Sequence, residues 1–166
     1  MARLTSVITA PAVTSFASLG NSLTAVASCA ALTVGTINNV TDHLVQVTLT
    51  GPATVTATAS TMVNLFAFES VDGTIWSGSN TTNELIDGLD KAITLSANGN
   101  QGIWIGNVMM TTTTAGISII YKSKVISIKS ALGKLPNKYV IVAQNQSGAA
   151  LPATGHSIAV QEEYYT

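Results

Sequence analysis

The sequence predicts an all-β protein: a single β-sandwich or jelly-roll-like domain over residues 23–166, with an N-terminal arm or first edge strand over residues 1–22. Three observations predict it. Apolar and polar residues alternate at period two in run after run, as they do on a half-buried strand. The runs recur roughly every 10–15 residues between turn signals, and no long segment keeps a 3.6-residue period. Thr, Val and Ile are abundant throughout, and their branched side chains suit a pleated surface.

Taken in order, residues 1–22 are rich in Ala, Ser and Thr, carry one charge, and hold Pro11 and Gly20. That composition reads as a segment outside the main core. The first clear strand runs from His43 to Thr50, with a short switch of alternation at Leu44-Val45. Val63–Glu69 is the second, and Asp72-Gly73 follows it as a hairpin signal, since both residues tolerate the positive φ of a type I′ turn. Thr82–Asp90 reads as one short helical turn, limited by Gly88. Asn98-Gly99 marks a second turn before the strand Ile103–Met109. Lys124–Lys129 alternates as a further strand. Gly133, Pro136 and Asn137 then break the chain before Lys138–Asn145, Ser147-Gly148 follows that run, and Ser157–Tyr165 closes the sheet pattern.

Composition bounds the function. At 166 residues the chain is long enough for one domain with a real core. Only 9% of its residues are Asp, Glu, Lys or Arg, against about a quarter in ordinary soluble domains. Hydrophobic residues make up 46%. Scattered charge normally keeps a lone monomer soluble, so a surface this poor in charge points to one covered by other protein copies. Net charge is −1, which gives no footprint for nucleic acid. No apolar run approaches a membrane span, and Thr5, Ser6, Thr9, Pro11 and Thr14 interrupt any leader-like stretch at the N-terminus. The sequons at Asn39, Asn80 and Asn145 are expected by chance in a Thr-rich chain.

The chemical inventory is thin. Cys29 stands alone and reads as a small buried apolar residue. His43 and His156 sit in no recognisable motif, and each reads as a strand-end residue. No nucleophile elbow, phosphate loop or zinc spacing occurs. Glu84, Asp87 and Asp90 are the best candidate for a Ca²⁺ site, but without the alternating acidic loop that such a site uses, a solvated acidic turn is the better reading. The chain is expected to be no enzyme and to need no cofactor or metal. Charges are sorted along it: Glu69, Asp72, Glu84, Asp87 and Asp90 precede Lys91, Lys122, Lys124, Lys129, Lys134 and Lys138. This order predicts either an acidic and a basic face that set register between subunits or lysines guarding a sheet edge.

Two blocks carry a resemblance. Phe66–Gly78 contains Ser70-Val71-Asp72-Gly73-Thr74-Ile75-Trp76, and Leu135–Leu151 contains Leu135-Pro136-Asn137-Lys138-Tyr139 and Asn145-Gln146-Ser147-Gly148-Ala149-Ala150-Leu151. Together they resemble small β-sandwich virion proteins of tailed bacteriophages, most of all capsid decoration (cement) proteins. The resemblance implies a structural protein made in the host cytoplasm and located on the virion surface. It implies a homo-oligomer, often a trimer, that binds the outside of a lattice of major capsid protein and stabilises it, with no nucleic acid and no membrane as partner. The alternative it leaves is a head-fibre, tail or baseplate component whose sandwich touches a host glycan through Trp76 or the Asp87–Asp90 loop.

The residues expected at the capsid or subunit interface are Leu4, Val7, Ile8, Val13 and Phe16 in the arm, with Trp76, Lys124, Lys129, Tyr164 and Tyr165. Large aromatics dominate interface energetics. Trp104 is expected in the core.

Overall fold

The computed structural model describes residues 3–35, 39–53, 61–77, 86–94, 102–111 and 119–165. Among the described residues, eleven strands and one short α-helix follow in chain order: β1 (Arg3–Val7), β2 (Ala25–Ser28), β3 (Leu32–Thr33), β4 (Val40–Thr50), β5 (Met62–Ser70), β6 (Lys91–Thr94), β7 (Ile103–Met109), β8 (Ile120–Lys122), β9 (Ile126–Ser127), α1 (Ile128–Leu132), β10 (Lys138–Gln146) and β11 (Ser157–Tyr165). They form two antiparallel sheets packed face to face, an all-β sandwich. One sheet runs β1-β11-β4-β8, with β9 also on β4; the other runs β6-β2-β10-β5-β7, with β3 also on β10.

The winding is that of a jelly roll. β2 and β3 pair with the same strand, β10, and count as one interrupted strand. β8 and β9 likewise share β4. With β6 as an added edge, eight strands remain. Numbered afresh in chain order, they lie 1-8-3-6 in one sheet and 2-7-4-5 in the other, which is the interleaving of two Greek keys. The break between β8 and β9 is filled by Ser123, whose N–H reaches the Val47 carbonyl at 2.9 Å while its Oγ accepts the Val47 N–H at 3.0 Å.

Period-two burial is clearest in β4. In β4, His43, Val45, Val47 and Leu49 are buried in strict alternation, with no switch at Leu44-Val45. His43 is therefore an inward core residue and does not end a strand. Strand β10 departs from simple alternation: Tyr139, Val140, Ile141, Val142 and Ala143 are all buried, as befits a central strand covered on both sides.

Three local expectations are corrected. Residues 124–129 do not form one strand: β9 has two residues, and α1 starts at Ile128. Ser127 caps that helix by accepting the Ser130 N–H at 3.0 Å, and Gly133 ends it with φ 75°. The Asp72-Gly73 turn is not type I′, because only Gly73 of the pair takes positive φ. Asp72 works instead through its side chain, which accepts the N–H groups of Thr74 at 2.7 Å and Ile75 at 2.8 Å. These bonds, first Ile75 and then Thr74, hold its carboxyl below the usual carboxylate range. Of the expected helical turn, residues 86–90 are described and are not helical; the rest of it, with Glu84 and the sequon Asn80, lies outside the described residues, as does the Asn98-Gly99 turn.

The N-terminal segment is part of the fold. β1 pairs along β11 from Arg3↔Tyr165 to Val7↔Gln161 as an edge strand, and Arg3 forms an ion pair with Glu163. Phe16, fully buried, belongs to the hydrophobic core, with Ile8 and Val13 packed against it.

Candidate interaction surface

The ten residues expected at an interface fall into three places. Leu4, Val7, Tyr164 and Tyr165 meet on the β1–β11 edge, where Leu4 lies opposite Tyr164 and Val7 is 80% exposed. Lys124 and Lys129 lie on the far side of the same sheet, around β8, β9 and α1. Phe16 and Trp76 are in the core, and Ile8 and Val13 lean on it.

Both tryptophans reverse their expected places. Trp76 is 3% exposed and lies close against Gly88, so it is no surface anchor. Trp104 is 57% exposed and is no core residue. The cause is a bulge in β7. Asn64 pairs with Asn107 and Leu65 with Gly106, but Phe66 pairs with Trp104, which leaves Ile105 extra. Val108 points inward, and strict alternation would turn Trp104 inward with it. The extra residue shifts the parity, so that Ile105 is buried and Trp104 faces out. Gly106, at φ 152°, takes the backbone turn this requires.

That bulge shapes one wall of a groove of about 680 Å³. β7 forms this wall, and the segment from Lys122 to Ser127, with Ser130 and Ala131 of α1, forms the other. The groove touches Trp104, Ile105, Gly106 and Asn107 consecutively, and likewise every residue from 122 to 127. A face of a strand would present alternate residues only. The groove therefore runs along the edges of the two sheets, where their strands end side by side. Its floor and rim carry exposed Trp104, Met109 and Val125, and its charges are Lys122 and Lys124, with no carboxylate among the described residues that line it.

Elsewhere the polar groups serve the fold. Asp90 accepts Thr14 N at 2.7 Å, Thr14 Oγ1 at 2.5 Å and Ser15 N at 2.9 Å. Asp87 pairs with Lys91 at 2.8 Å. Among the described residues no group of three or more His, Cys, Asp or Glu side chains is arranged to hold a metal ion. Cys29 is buried, which pushes its thiol up to about 12. His156 accepts Thr50 N on Nδ1 at 3.4 Å and donates from Nε2 to the Pro152 carbonyl at 2.8 Å. The sorting of charge along the chain is partly undone by the fold, since Lys91 meets Asp87 and Lys134 meets Glu69. Lys122, Lys124 and Lys129 remain exposed.

The groove was not legible in the sequence. β7 gave one signal, an uncharged strand with two large apolar side chains at its start, but its place at a sheet edge comes from topology. The two blocks that carry the resemblance lie side by side. β5 pairs with β10 from Ser70↔Lys138 to Met62↔Gln146, and Asn137 Nδ2 donates to the Val71 carbonyl at 3.0 Å. Asn145 accepts Ser147 N at 2.9 Å and donates to the Leu19 and Ala149 carbonyls, each at 2.8 Å. These residues shape a strand pair and its turns; they are scaffold. Comparison with family models, with curated proteins and with solved structures finds no match to this chain.

Proposed function

We propose that this chain is a structural virion protein that binds the outer surface of a phage capsid lattice and stabilises it, acting as a decoration or cement protein in a homo-oligomer, with a trimer expected. The observation that carries this reading is the surface. In a chain with 9% charged residues, large apolar side chains stand exposed on both edges of the sandwich: Val7 and Tyr165 on one, Trp104, Met109, Ile120 and Val125 on the other. Exposed apolar area of this kind marks protein contact. The jelly-roll winding is compatible with the reading but does not carry it, because the same winding serves capsid domains, lectins and other proteins.

The mechanism is mechanical. Each subunit seated across neighbouring capsid proteins adds interface energy to the closed shell and none to the opened one, which shifts opening to higher temperature by mass action. Contacts rich in hydroxyl groups and poor in charge avoid the several kcal/mol it costs to desolvate each ion.

Densitometry of purified particles tests this: hundreds of copies per head are expected. Heads stripped of the protein are expected to release DNA at a lower temperature than complete heads, and equal release temperatures would overturn the stabilising role. The second reading, a fibre or tail component that touches a host glycan, loses the residues first considered for it, since Trp76 is buried and Asp87 and Asp90 are engaged within the fold. Exposed Trp104 is the indole left to it, and a copy number far below that of the major capsid protein would favour that reading.

A further inference from the structure

We propose that the groove between β7 and the β8–β9–α1 wall is a strand-docking slot. It receives an extended segment of a partner protein that alternates apolar and acidic residues and joins the sheet alongside β7. The inference rests on the lattice-binding reading only for where the partner is found; the slot itself is argued from three observations.

The first is the free edge. Among the described strands β7 pairs with β5 alone, so alternate residues of β7 direct their N–H and C=O groups into the groove. Such an edge is a template for a further strand. Proteins usually shield one with Lys, Pro or a covering element; β7 has no charged residue and no Pro, and it carries one bulge.

The second is shape. The groove follows consecutive residues of both walls, so it presents backbone edges, and an extended chain fits a slot of that form better than a compact ligand does. β7 has seven residues, so the docked segment is about 20–24 Å long.

The third is charge. Lys122 and Lys124 line the groove, and among the described residues no carboxylate lines it or forms an ion pair with either lysine. The apolar set of the docked strand meets Ile105, Ile126 and Ala131, and its acidic set meets the two lysines.

The test uses the intact protein and three acetylated heptapeptides of Thr-Val-Glu-Val-Glu-Val-Thr type: the parent, a version with both Glu replaced by Lys, and a version N-methylated at alternate residues. Fluorescence anisotropy gives affinity, and backbone hydrogen exchange reports on β7. The parent is expected to bind and to slow exchange of β7 amides roughly tenfold, and the Lys version to bind roughly tenfold more weakly. The N-methylated version is expected not to bind. The doubly reversed variant K122E/K124E, both positions exposed, is expected to fold normally and to prefer the Lys peptide. Equal binding of the Glu and Lys peptides, binding without β7 protection, or retained affinity of the N-methylated peptide would each overturn the slot. So would binding of a sulfated tetrasaccharide in place of any peptide, which would make the groove a glycan site. Full occupancy of phage heads by K122E/K124E would refute the slot and leave lattice binding standing; peptide binding by a protein that no head takes up would support the slot and refute lattice binding.

Discussion

His43 Nδ1 lies 2.9 Å from Tyr139 Oη, a hydrogen bond that crosses the core from β4 in one sheet to β10 in the other. The rings meet edge to face with centroids 5.7 Å apart. On its other side His43 Nε2 is 3.3 Å from Glu162 Oε1, which also accepts the Gly35 N–H at 3.0 Å. With Glu162 as acceptor, Nε2 carries the proton and Nδ1 accepts from the tyrosine, so the imidazole is neutral and both nitrogens are satisfied.

Tyr139→Phe leaves Nδ1 buried without its donor and is expected to cost about 1–3 kcal/mol of unfolding free energy, read from urea titration. Burial holds His43 below its ordinary 6.5, against the opposing pull of Glu162. A histidine with a depressed folded pKa takes up its proton in the unfolded chain first. Stability is therefore full above about pH 6.5 and declines as the pH falls below it. The melting temperature is expected to drop between pH 7.5 and 5.5, and His43→Gln to flatten that slope.

Asp90 ties the turn at Thr14–Ser15 to the sheet by three hydrogen bonds. Asp90→Ala is expected to cost about 2 kcal/mol. Partial burial pushes this carboxyl up, but the bonds from Ser15 and Thr14 together more than offset it and leave it below the usual range. Its contribution is present above about pH 4 and lost as pH falls through the lowered value. The gap between wild type and variant should hold from pH 7 to 5 and close in stronger acid.

Phe16 is a core residue that anchors the segment after β1. Phe16→Ala empties a fully buried site and is expected to cost about 3–5 kcal/mol. Deleting residues 2–7 removes only the edge strand β1 and should leave a folded protein. Head occupancy of this variant tests whether the edge contributes to lattice contact.

Acrylamide is expected to quench Trp104 and spare Trp76, with Trp104→Phe removing the quenchable part of the emission. The same contrast holds for stability: Trp104→Ala should stay within about 0.5 kcal/mol of wild type, and Trp76→Ala should cost about 3–5 kcal/mol.

Gly88 has φ 81°, and a Cβ there would lie 2.7 Å from Trp76 Cζ2. Gly88→Ala is expected to cost about 1–3 kcal/mol. Gly20 has open space around it and no positive φ, so Gly20→Ala should be neutral or stabilising by up to about 1 kcal/mol in the same thermal melts.

The sequence by itself determined the class of fold. Alternation over 43–50, 63–69, 103–109, 138–145 and 157–165 is a local property, and each of these runs is a strand. It also determined that the surface would be short of charge. Tertiary structure decided the rest. A single extra residue at Ile105 reversed the parity that alternation assigns to Trp104. The lack of a side chain at Gly88 leaves Trp76 room inside. His43, Tyr139 and Glu162, on three different strands, became one buried chain of hydrogen bonds. The groove exists because β7 and β8 end two different sheets on the same side. Period two reports which face a residue takes on an ideal strand; bulges, edges and cross-sheet partners are fixed only when strands distant in the chain are brought together.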